Sequence, residues 1–187
     1  MTPTSVSEWT REKLVGLNHA DALELFKSLP SVAFDELEGE YAGDIPDGGD
    51  EAVKRMLAQG IFNEETPFGC WLGKAVTRTS ETAGEGYNYC RKAGRRIIRH
   101  LRYATDMDNS YVDGTTVFTI RYAAFKNGSG ERDLVDEVRR VGDGLYLCVS
   151  TTRNDDGSRS APGLFILSGP SGPWVGVDDK GLEARVD

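Results

Sequence analysis

Histidine is scarce in this 187-residue chain. His19 and His100 are the only two, far apart and without HxH or HxxxH spacing, which argues against a histidine-built metal site. Cysteine is scarce as well. Cys70, Cys90 and Cys148 are odd in number and form no CxxC pair, so neither a metal knuckle nor a disulfide framework is expected. They read as small buried apolar residues. There is no Gly-rich phosphate loop and no Ser nucleophile elbow; Gly84-Glu85-Gly86 is too short for the former and reads as a hairpin turn. No cofactor is implied. No apolar run approaches the roughly 20 residues needed to cross a bilayer, and Met1 to Lys13 lacks the apolar core of a secretory signal. The expectation is a cytoplasmic protein without integral membrane association. A formal net charge of -8 argues against a general nucleic-acid binder, which needs clustered Lys and Arg.

What is present is the composition of an ordinary globular protein, 28% charged and 39% hydrophobic, long enough for one domain with a real core. Residues 1–17 read as an N-terminal extension, 18–179 as the domain, and 180–187 as a tail. Residues 1–10 and the tail from Lys180 are expected to be loosely held. Helix signals are confined to the first third. Asn18 is an N-cap, Asp21 sits in the first turn, and Ala22, Leu25, Phe26 and Leu29 form one apolar stripe that Pro30 ends. A second short helix runs from a cap at Asp50 through Val53, Met56 and Leu57 to Gly60.

From Phe68 onward the periodicity changes to two. Val117 to Phe125 is a β-branched and aromatic run ending at Asn127-Gly128. Val135 to Val141 and Leu145 to Ser150 follow, separated by Gly142-Asp143-Gly144; Leu164 to Ser168 and Trp174 to Val177 close the set. Short strands with evenly spaced turns predict an antiparallel barrel or sandwich. The basic segment Arg91 to Arg102 has the charge of an amphipathic helix, but Gly94 and its β-rich neighbours favour a strand. On that strand Ile97, Arg99, Leu101 and Tyr103 are expected to share one face, and Ile98, His100, Arg102 and Ala104 the other.

Gly39-Glu40-Tyr41-Ala42-Gly43 follows the first helix and precedes a polar turn. Glycine in a strand marks a bend or a close backbone approach, and Tyr41 between two of them is placed to plug a barrel end. With Ala22 to Pro30, Trp71-Leu72-Gly73-Lys74, Ser110 to Gly114 and Asp136 to Arg139, this stretch resembles the bacterial family named for its Gly-x-Trp-x-Gly motif and its lipocalin-like relatives. Tyr41 stands where the family motif has Trp. The resemblance spans residues 20–178 and implies a mainly β, antiparallel lipocalin-like barrel with one or two N-terminal helices and an apolar ligand.

Several side chains are candidates for chemistry inside such a cup. His100, between Arg99 and Leu101 in a basic run, is a general base if it faces the cavity and a structural histidine otherwise. Asp136 and Glu137 are adjacent, so only one points inward; a carboxylate in an apolar cup moves protons, whereas one outside makes cross-strand ion pairs. Tyr41, Trp71, Tyr87, Tyr89, Tyr103, Tyr122 and Tyr146 supply large apolar faces with polar handles for a ligand, or simply core. Arg102 or Arg121, if inward, calls for a carboxylate or phosphate on the ligand. Two functions follow: binding of a small hydrophobic or amphipathic molecule, or a cofactor-independent isomerase or cyclase of secondary metabolism in the same cavity. Homodimerisation stays open.

Overall fold

The computed structural model describes residues 9–127 and 133–178. Eight antiparallel strands close into a barrel in simple sequence order: β1 (Gly39–Asp44), β2 (Cys70–Arg78), β3 (Gly84–Arg91), β4 (Ile97–Asn109), β5 (Thr116–Arg121), β6 (Leu134–Gly142), β7 (Leu145–Thr152) and β8 (Gly163–Gly172). Closure removes the unpaired edges that an open sheet of this length would present. Among the described residues three α-helices accompany it: α1 (Arg11–Val15), α2 (His19–Ser28) and α3 (Glu51–Gln59). The expected mainly β lipocalin-like barrel with N-terminal helices is the observed architecture.

The caps act as their residue types dictate. The Asn18 side chain accepts from the Asp21 amide at 2.9 Å, and the Asp50 carboxylate from Ala52 and Val53 at 2.7 and 3.2 Å, so orphan N–H groups of α2 and α3 are satisfied. α1 is too short to leave a periodic signature, yet Leu14 is fully buried. It joins Ala22 and Phe26 of α2 against Val141, Leu147, Val149 and Ile166 on the barrel's outer face. Burying Phe26 there contributes roughly 1.5–3 kcal/mol. Residues 1–8 and the tail from Lys180 lie outside the described residues, as does Gly128. Trp9 packs against this outer cluster and Thr10 caps α1, so the ordered cover begins before Asn18.

Several expected boundaries are corrected. The run from Val117 leaves the sheet after Arg121, where Tyr122–Ala124 forms a 3-10 turn. Trp174 to Val177 is not a strand; Trp174 packs its ring 4.6 Å from that of Tyr87 outside the barrel. Gly84-Glu85-Gly86 belongs to β3, and the hairpin turn lies at Thr79 to Ala83. A side chain on Gly86 would fall 2.0 Å from the ring of Tyr103, so the missing Cβ lets that ring cross the strand.

The largest correction concerns β4. Tyr103 pairs opposite Gly86 and His100 opposite Asn88, so β4 carries one residue more than β3 across this interval. The extra residue is a bulge at Leu101, whose φ is +55°. It turns His100 and Tyr103 to the same face, where strict alternation had separated them. An equivalent bulge at Leu72 in β2 turns Trp71 and Lys74 both inward.

Candidate functional site

The two ends of the barrel differ. One is packed shut by Tyr41, Phe118, Val138 and Tyr146 with Val32, Phe34 and Leu37 from the segment before β1. Tyr41 meets Tyr146 edge-on at 5.7 Å, and its hydroxyl lies 3.1 Å from the Glu38 amide. Toward the other end the interior opens into a cavity of about 310 Å³. Its walls include Ile45, Ile61, Leu101, Leu134, Leu164 and Phe165. Gly43 makes room for one wall: a Cβ there would lie 2.3 Å from the Trp71 indole.

Four polar side chains from different strands converge on this cavity: Lys74 (β2), Asn88 (β3), Tyr122 (just after β5) and Asp136 (β6). Lys74 Nζ forms an ion pair with Asp136 Oδ2 at 2.9 Å, the two side chains being 6% and 2% exposed. It also donates to Asn88 Oδ1 at 3.0 Å and to the Tyr122 hydroxyl. Asn88 Oδ1 accepts a second bond from Trp71 Nε1 at 3.1 Å, and its amide donates to Tyr122 Oη at 2.9 Å. Tyr122 in turn donates to Asp136 Oδ2 at 3.2 Å. Burial, reinforced by the Asp136 charge, holds the Tyr122 hydroxyl well above its ordinary pKa, so it remains a donor. The ammonium also sits 5.0–5.4 Å from the rings of Tyr122, Tyr103 and Phe165, within cation–π range.

Chemically, this is a desolvated, charge-balanced polar floor beneath an apolar chamber. Burial raises the Cys90 thiol to about 11 and that of Cys148 well above its usual value, so neither is a thiolate nucleophile. Among the described residues, no group of three or more His, Cys, Asp or Glu side chains is placed to hold a metal. Nor is any helix among them long and apolar enough to cross a membrane.

No family model matches the sequence, and no curated protein matches it. A crystal structure of a protein from Thermomonospora curvata is similar, with a TM-score of 0.53 and 20% identity, covering 81% of this chain and 87% of that one. A likeness at that identity carries the fold and leaves the ligand and any reaction unaddressed.

The structure distributes the candidate residues unevenly. Trp71, Tyr122 and Asp136 line the cavity. Tyr41, Tyr103 and Tyr146 are interior but packed, Tyr103 donating to the Ala75 carbonyl at 2.8 Å. Tyr87 and Tyr89 belong to a separate cluster with Trp174 and Ile97, and the Tyr87 hydroxyl donates to Glu40 at 2.9 Å. Arg102 pairs with Glu85 at 2.5 Å, and Arg121 with Asp106 and Asp108, all away from the cavity. The condition under which either arginine called for an anionic ligand is therefore not met. His100 shares a face with Asn88 but does not line the cavity. Its Nε2 lies 3.4 Å from Cys90 Sγ beneath the ring of Phe68. Glu137 is turned the other way and accepts from Ser110 Oγ and the Tyr111 amide at 2.5 and 2.7 Å.

Lys74, Asn88 and Asn127 are among the cavity residues that sequence reasoning passed over. A single Lys or Asn in a strand ordinarily marks a solvated face. The one usable signal was the spacing of Trp71 and Lys74, which becomes meaningful only with the bulge at Leu72.

Proposed function

We propose that the barrel is a container for a small amphipathic molecule. Its apolar body would lie against Trp71, Leu101, Leu134 and Phe165, and its polar end toward Lys74, Asn88, Tyr122 and Asp136. The observation that supports this most strongly is the buried Lys74–Asp136 pair at the floor of an apolar-walled cavity. A buried ion pair is a poor device for stability, since apolar residues of similar volume often do as well or better. A void likewise forgoes dispersion contacts. Together they suit a binding site, where an apolar chamber needs a few convergent polar groups. The likeness of Ala22 to Pro30 and Gly39 to Gly43 to the Gly-x-Trp-x-Gly family supports the same reading. Native mass spectrometry of the purified protein tests it. A non-covalent small-molecule adduct is expected, and Ser150→Trp, which narrows the cavity, is expected to abolish it. An adduct untouched by that substitution places the binding elsewhere.

A second reading, a cofactor-independent isomerase or cyclase of secondary metabolism, is favoured by one arrangement. The Tyr122 hydroxyl bridges the Lys74 ammonium and the Asp136 carboxylate, giving a donor and an acceptor in one desolvated place. On this reading Tyr122→Phe leaves affinity for the recovered adduct nearly intact and lowers its turnover by roughly 100-fold or more. If wild-type protein returns the recovered molecule unchanged, the container reading stands alone.

A further inference from the structure

Among the described residues Lys74 is the amine on the cavity wall, and the cavity is built around its ammonium end. The hydrogen-bond and ion-pair partners of Nζ, namely Asn88, Tyr122 and Asp136, all line the cavity. So do Trp71, Tyr122 and Phe165, whose ring centroids lie 5.0–6.0 Å from it. No cysteine among the described residues lines the cavity, which leaves Lys74 as the strong nucleophile beside a bound molecule.

An ammonium has no lone pair, so it must first give up a proton. Asp136 Oδ2, 2.9 Å away, is placed to take it. The two side chains are 6% and 2% exposed, so the transfer turns a desolvated ion pair into a neutral amine and carboxylic acid, removing two buried charges at once. A desolvated lysine is the kind that attacks carbonyl carbon. The surrounding hydrogen bonds tolerate the product. An iminium keeps one N–H, for Asp136, and gives up the other two. Asn88 Oδ1 then retains its bond from Trp71 Nε1 at 3.1 Å, and Tyr122 Oη retains that from the Asn88 amide at 2.9 Å. Neither is left unpaired. The iminium also keeps the positive charge that balances Asp136, whereas acylation would remove it and strand the carboxylate.

We infer that Lys74 captures an aldehyde, forming a protonated Schiff base whose apolar body fills the cavity. This rests on the barrel being a container for a small amphipathic molecule. Asp136 takes a proton from the ammonium, and the freed lone pair forms the C–N bond while the carbonyl oxygen takes up a proton shed by that nitrogen. The new hydroxyl leaves as water with the proton that Asp136 returns, as the C=N bond forms. Ammonium and aldehyde become iminium and water, so neither oxidant nor reductant is needed.

Native mass spectrometry of the full chain with octanal or naphthaldehyde tests it. The expected adduct is lighter by one water than protein plus aldehyde. Cyanoborohydride should fix it as a secondary amine, which peptide mapping should place on Lys74. Labelling there is expected to be at least about tenfold faster than at exposed Lys54, and to be suppressed by octanol and by Ser150→Trp. Lys74→Met with Asp136→Leu should lose the water-deficient adduct while keeping a β-rich circular dichroism spectrum. Should that variant fail to fold, the mapped site in the wild-type protein decides alone. If calorimetric titration shows octanol binding, yet the aldehydes add at full mass or label only exposed lysines, the Schiff base is overturned and the container stands. Failure of octanol and both aldehydes to bind overturns both.

Discussion

Asp136 and Glu137 are neighbours in β6, both carboxylates and both almost wholly buried, yet they face opposite sides of the barrel wall. Asp136 points inward to Lys74 and Tyr122. Glu137 points outward and holds the start of the Ser110 to Thr115 turn through Ser110 and Tyr111. Two residues on, Arg139 holds the other part of that turn, 2.8 Å from both Asp113 oxygens, and also donates to the Phe26 and Lys27 carbonyls at the end of α2. The outer face of β6 thus binds cover to barrel, while its inner face contributes to a cavity that covers nothing. Every outer contact satisfies an exposed turn or a helix end, which is structural work. The inner pair satisfies only itself and its immediate polar neighbours.

If that contrast is right, the inner pair is replaceable as a pair. Lys74→Met alone should lower stability by about 3–5 kcal/mol, because it strands the Asp136 carboxylate. Adding Asp136→Leu should return the protein to within about 1 kcal/mol of wild type, since a buried pair exchanged for apolar residues is often neutral. Urea melts of the two variants measure this. A double variant as unstable as the single one would mean that the pair is structural and the contrast with Glu137 is false.

The outer carboxylate should behave in the opposite manner, with no rescuing partner. Glu137→Gln replaces one acceptor with a donor facing Ser110 Oγ or the Tyr111 amide, and should cost about 1–3 kcal/mol. Cavity binding of any ligand should be unchanged. A shift in affinity larger than the scatter of the calorimetric titration would show that the two faces are coupled through the β6 backbone.

This division was only half legible in sequence. The alternation of β5 to β8, with its β-branched residues and glycine turns, identified the barrel, and Asn18 and Asp50 identified two helices by cap chemistry alone. That one acid of Asp136-Glu137 must face inward followed from the period of two; which one did not, because both neighbours are mixed in polarity. The site was hidden by departures from regularity. Bulges at Leu72 and Leu101 reset the faces of β2 and β4, whereas Tyr122 keeps the inward face it shares with Phe118 and Ile120 by simple alternation. A bulge is one residue of local geometry with no compositional mark, and Leu is an unremarked residue in any strand. Lys74 was consequently invisible as an inward residue, and Asn127, at a turn, looked like turn chemistry alone.

His100 gives the finest test, because the Leu101 bulge places it on the inner face yet beneath Phe68 and beside Cys90. Burial, aided by the nearby Lys92 charge and opposed by Asp178, lowers its pKa below the ordinary 6.5. A histidine depressed in the fold is held neutral there, while the unfolded chain takes up a proton more readily. Its contribution to stability is therefore complete above about pH 6.5 and is lost as pH falls through the lower, folded value. Glu137 acts in the reverse sense. Its raised pKa favours the protonated fold and contributes below its ordinary 4.5, fading as pH rises through the folded value. The two groups act with opposite sign, so a difference between wild type and a single variant isolates one. Denaturant melts of wild type and His100→Gln, compared from pH 7 down to pH 5, should converge or cross as the wild type loses its small advantage. NMR titration of the imidazole should show the same depression directly. Parallel stability curves, with His100 titrating at its ordinary value, would mean that Phe68 does not shield the ring and that the inner face ends at Asn88.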